Sequence, residues 1–108
     1  MLKKELTIDN IARQVTEILA AHIKVERLIL YGSYAYGKPR QESDFDIAVI
    51  SKDFKAMPLL KRMELFSRAA LSIDPRIELK GFHSGEFSQP EKGSLLEMIK
   101  NKGKAIYP

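Results

Sequence analysis

The chain has 108 residues, 44% hydrophobic and 30% charged, with a net charge of +4. That is enough for one compact domain, with a core burying roughly 65% of the unfolded surface. It contains no cysteine, which excludes disulfides and thiolate metal sites, so any metal must be held by oxygen or imidazole.

No apolar run approaches the ~18 residues that span a bilayer, and the N-terminus lacks the apolar core of a signal peptide. A cytoplasmic protein without a membrane contact is the expectation. The mild basicity favours anionic ligands in general. Without a basic run or an aromatic-plus-basic pattern, the sequence argues against direct nucleic-acid binding.

In chain order, Ile8, Ile11, Val15, Ile18, Leu19 and Ile23 recur at spacings of three and four, which predicts an amphipathic helix over 8–23. Thr7 is its expected N-cap, and His22 is expected on its surface. Residues 26–31 form a β-rich apolar run ended by Gly32. Ser33 to Tyr36 reads as a single helical turn stopped by Gly37, and Lys38 to Glu42, with Pro39, as a loop. Residues 44–50 read as a second strand, with Asp44, Asp46, Ala48 and Ile50 on one face and Phe45, Ile47 and Val49 on the other.

Pro58 opens a long helix whose expected buried face is Leu59, Met63, Phe66, Ala70 and Ile73, stopped at Asp74-Pro75. Residues 76–82 read as a third strand, with Glu78 and Lys80 opposite Ile77 and Leu79. His83 to Pro90 is expected as a loop with a solvated histidine. Ser94 and Glu97 suggest a capping box for a last helix ended by Gly103, after which Ile106 and Tyr107 add an edge strand. The order α-β-α-β-α-β-α implies an α/β fold: a small mixed β-sheet packed against helices, in one domain over 1–108.

Two patterns carry chemistry. A strand ending in Gly32-Ser33 and turning at once into a helix offers backbone N–H groups to an anion, with the Ser33 hydroxyl beside them. Asp44 and Asp46 are two apart on a strand and project from one face, roughly 7 Å apart. Such a pair of hard oxygen ligands suits Mg²⁺ or Mn²⁺. Alone, the first also fits an ordinary turn and the second a solvated strand. Glu78 offers a third carboxylate on a third strand, and its plain alternative is pairing with Lys80 or Arg76.

Gly32-Ser33-x-Ala35-x-Gly37 followed by Ser43-Asp44-x-Asp46 is similar to the signature of the DNA polymerase β-like nucleotidyltransferase superfamily. Nearly the whole chain resembles its smallest branch, the minimal nucleotidyltransferase (MNT) domains. The resemblance implies that Gly32, Ser33 and Ser43 bind the nucleotide. It implies that Asp44 and Asp46 hold two divalent ions, and that Glu78 completes the metal site and activates the attacking hydroxyl. It implies AMP transfer from ATP, with Mg²⁺ or Mn²⁺, to a tyrosine of a HEPN-family toxin, the domain acting as antitoxin. Two positions depart from the family pattern: Tyr36 stands where an arginine is frequent, with Lys38 or Arg40 as substitutes, and Glu78 where aspartate is common. They motivate an alternative, a catalytically weak module that neutralises a partner by binding it. A third reading is a nucleotidyltransferase of a small molecule or RNA end.

Overall fold

The structure is a computed structural model and describes residues 7–39 and 44–108. Helix α1 (Ile8–Ala20) is capped by Thr7, whose Oγ1 accepts from the Asn10 N–H, and it buries Ile11, Ala12, Val15 and Leu19. It stops before Ile23; His22 lies in the following turn, exposed as expected but off the helix. Strand β1 (Arg27–Tyr31), the single turn α2 (Ser33–Tyr36) and strand β2 (Phe45–Ile50) follow. A 3-10 turn at Lys52–Lys55 leads to α3 (Leu59–Ile73) and β3 (Ile77–Phe82). Then come α4 (Ser84–Ser88), α5 (Leu95–Lys102) and β4 (Lys104–Tyr107).

The four strands form one mixed sheet in the order β3-β2-β1-β4. β1 is antiparallel to both β2 and β4, while β2 and β3 are parallel, joined by the crossover through α3. This is the α/β architecture expected from the element order, with the predicted C-terminal edge strand in place.

Both faces of the sheet are covered, which explains why β1 and β2 read as nearly continuous apolar runs. On one face, Leu28, Leu30, Phe45, Ile47 and Val49 join Ile11, Val15 and Leu19 of α1 and Phe66, Ala69 and Ala70 of α3 in the main core. On the other, Ile29, Tyr31, Ala48 and Ile50 form a smaller layer with Ile99 of α5, flanked by Phe82 and Phe87. Among the described residues no helix is long and apolar enough to cross a membrane.

Three local expectations are corrected. In α3, Phe66 and Ala70 are buried and Ile73 is half-buried, but Leu59 is 65% and Met63 56% exposed. The helix turns Phe66, Ala69 and Ala70 inward, and the same stripe is left uncovered at Leu59 and Met63 in the helix's first turns. Residues 83–90 are not a plain loop: Ser84–Ser88 is helical. His83 is its N-cap, with Nδ1 accepting from the Glu86 N–H at 3.3 Å while Glu86 Oε2 accepts from the His83 N–H at 3.0 Å. In α5, Ser94 Oγ accepts from the Glu97 N–H, but the Glu97 carboxylate takes the N–H of Gly93 rather than that of Ser94. The box is therefore displaced by one residue.

Candidate active site

The site lies where β1 and the N-terminal end of β2 meet. Gly32 leaves β1 with φ 76°, a left-handed value that L side chains rarely adopt, and caps the turn α2. The amides of Ala35 and Tyr36 both donate to the Gly32 carbonyl, and that of Gly37 to the Ser33 carbonyl. A Cβ on Gly32 would run into the Asp46 carboxylate, and one on Gly37 would lie 2.9 Å from the Ser33 Cα. Ala35 is buried in the main core. The spacing Gly-Ser-x-Ala-x-Gly thus has a local cause: backbone against a carboxylate, a small residue inside, and backbone against backbone. Tyr34 anchors the turn by stacking on Phe45 at 4.1 Å between ring centroids, and the Arg76 guanidinium sits 5.3 Å from the same ring.

Strand register assembles the carboxylates. Asp46 of β2 is the cross-strand partner of Tyr31 on β1 and of Glu78 on β3, so the three residues form one row across the sheet. Asp46 is half-buried, while Glu78 and Asp44 are exposed, Asp44 just ahead of β2. Burial pushes the Asp46 carboxyl up to about 6, with the charge of Glu78, a hydrogen bond to Glu78 and the charge of Asp44 adding to it; Lys80 opposes. Two carboxyl groups in contact with a third nearby, and one lysine against them, leave negative charge that a cation would neutralise. Among the described residues no group of three carboxylates or imidazoles is already drawn together as a metal cage. Asp44, Asp46 and Glu78 are hard oxygen donors that could hold a divalent ion only together with oxygens from outside the protein, such as those of a bound phosphate.

Of the residues singled out in the sequence, Gly32, Asp46 and Glu78 are brought together, with Ser33 next in the chain and Asp44 beside them. Ser43 and Arg40 lie outside the described residues. Tyr36 stands at the position where the family pattern frequently has arginine. It is 46% exposed, and its hydroxyl donates to the Met98 sulfur of α5 at 3.7 Å. Two residues of the site were not legible beforehand. Lys80 is the cation near Asp46, and Tyr31 is its neighbour on β1; only strand register identifies either.

This arrangement can be set beside known proteins. A model of the family described as "Polymerase beta, Nucleotidyltransferase" matches residues 13–108. The chain belongs to that nucleotidyltransferase family. A Methanocaldococcus jannaschii protein named "Putative protein adenylyltransferase MJ0141" is 40% identical over 55 residues, which are 47% of this chain and 52% of that one. The chain thus spans about half the length of this curated relative. Among solved structures, a point-mutant form of the toxin-antitoxin MntA-HpeT shares 25% identity at a TM-score of 0.64, over 95% of this chain and 73% of that one. A chain in the complex of a tri-AMPylated Shewanella oneidensis HEPN toxin with MNT antitoxin has the same fold, at 21% identity and a TM-score of 0.59. That match covers 94% of this domain and 72% of the other chain.

Proposed function

We propose that this domain, acting as a single unit, transfers AMP from ATP to a tyrosine hydroxyl of a HEPN-family protein in the cytoplasm, and so serves as its antitoxin. The observation that carries the reading is the contact between the two halves of the signature. The Gly32 backbone lies against the Asp46 carboxylate, and Asp46 stands in register beside Glu78. The residues read here as phosphate cradle, metal ligand and base candidate lie at one end of the sheet. The name of the M. jannaschii relative supports protein adenylylation, and those of the structural neighbours support a HEPN partner.

In this reading the Gly32-Ser33 backbone and the Ser33 hydroxyl hold the triphosphate, with Ser43 assisting. Asp44 and Asp46, with Glu78, are the residues that would hold Mg²⁺ or Mn²⁺. Bound there, the metal would supply Lewis-acid neutralisation of the phosphate oxygens. The Glu78 carboxylate takes the proton of the acceptor hydroxyl as its oxygen bonds to the α-phosphorus. The bond from that phosphorus to the β-phosphate bridging oxygen breaks, and pyrophosphate leaves. Positioning supplies much of the rate in such a transfer.

The test is incubation with labelled ATP, Mg²⁺ and a purified HEPN-family protein. Label on a partner tyrosine, reduced about 10³-fold or more by Asp44→Asn or Asp46→Asn, is the expected result. A partner held tightly but never labelled would replace this reading with a neutralising binding module.

A further inference from the structure

Tyr31 is buried, 6% exposed, and its hydroxyl is a buried polar atom with no hydrogen-bond partner. Burial without a partner costs free energy that phenylalanine, of nearly the same shape, would avoid. A tyrosine here therefore calls for a reason beyond packing. The other such atom among the described residues, Arg62 Nε, belongs to a guanidinium already engaged with the carbonyls of Gly81 and Phe54. The Tyr31 hydroxyl has no such alternative bond.

Its surroundings name the acceptor. The ring lies in the smaller apolar layer with Ile29, Ala48, Ile50 and Ile99. The charges acting on the phenol are those of Asp46, its cross-strand partner, then Glu78, then Tyr36. Tyr36 already donates to Met98. Asp46 has Glu78 as its other cross-strand neighbour. A buried donor without a partner thus stands beside the carboxyl of its cross-strand neighbour.

We infer that Tyr31 is a positioning residue of the carboxylate row: in the metal-loaded site its hydroxyl donates to an oxygen of Asp46 and fixes the orientation in which Asp46 receives a divalent cation. The inference rests on the metal-binding part of the function proposed above. Partners one bond removed from a metal ligand characteristically change metal affinity 10- to 100-fold when removed.

The test is Mn²⁺ binding by the full chain, followed by electron paramagnetic resonance, together with thermal unfolding of the metal-free protein. Tyr31→Phe is expected to weaken Mn²⁺ binding about 10-fold or more while leaving the metal-free midpoint unchanged or higher. Parent-like Mn²⁺ affinity in Tyr31→Phe overturns the inference. So does weaker binding accompanied by a lower metal-free midpoint, which would mark a packing role. Asp46→Asn separates the two levels. If it abolishes Mn²⁺ binding while Tyr31→Phe does not weaken it, the inference about Tyr31 alone fails. If neither variant changes Mn²⁺ binding, the metal reading fails with it.

Discussion

The two faces of β2 are built for opposite ends. Phe45, Ile47 and Val49 point into the main core, where Ile47 and Val49 are fully buried among α1 and α3. The opposite face continues into apolar packing through Ala48 and Ile50, but at its N-terminal end it presents Asp46 to Glu78, Tyr31 and the Gly32 backbone. One face lowers the free energy of the fold. The other retains a half-buried carboxyl beside like charge and a hydroxyl without a partner, both of which raise it. Residues on adjacent positions of one strand should therefore answer differently to mutation. Core positions should change stability without directing chemistry, and site positions should change chemistry at little cost in stability.

The largest effect should come from the core. Ile47→Ala removes a fully buried side chain between the sheet and its helices and should cost about 3–4 kcal/mol, read as a lower denaturant midpoint at unchanged slope. Whatever fraction stays folded should retain its activity per folded molecule. If Ile47→Ala lost activity far beyond its unfolded fraction, the division between the two faces would not hold.

Gly32→Ala tests the boundary between the two faces. The substitution meets both the positive φ and the Asp46 carboxylate, so the turn or the carboxylate must move. The backbone term alone is about 1–2 kcal/mol. Displacement of Asp46 by even an ångström should cost about 10²-fold in transfer rate. Gly37→Ala strains the same turn against Ser33 rather than Asp46, so it should resemble Gly32→Ala in stability and lose less activity.

How far this division could be read from the sequence depended on the range of the interaction. The alternation of β2 was legible because strand periodicity is local, and the Gly-Ser and Asp-x-Asp patterns marked both arms of the site. The buried stripe of α3 is legible at Phe66 and Ala70 but not at its N-terminal end, because Leu59 and Met63 continue the same apolar period, and Ala69 falls outside it. Only packing against β3 and α1 decides which of them is covered. Helix α4 escaped notice because histidine is an uncommon N-cap, and its reciprocal bond with Glu86 is what makes so short a segment helical. The roles of Tyr31 and Lys80 were out of reach, since they follow from which residues face one another across three strands.

The smallest expected effect is also the most direct measure of what the site costs. Burial first, then Glu78 and Asp44, raise the Asp46 carboxyl from about 3.8 in the unfolded chain to about 6 in the metal-free fold. The folded state therefore holds a proton that the unfolded state has released. This contribution is favourable and fully present below pH 4, is lost as pH rises through 6, and is absent above. Glu26, held down by the Ser84 hydroxyl, and Asp74, held down by Arg76, titrate in the opposite sense, contributing stability that is lost as pH falls. Comparison with Asp46→Asn cancels those background terms. The parent should lose about 1 kcal/mol relative to Asp46→Asn between pH 4 and pH 7, since the carboxylate is partly open to solvent. Urea unfolding of both proteins at pH 4, 5, 6 and 7 without metal measures it. A stability difference independent of pH would mean that Asp46 ionises freely in the fold, and the cost assigned to this face of β2 would have to reside elsewhere.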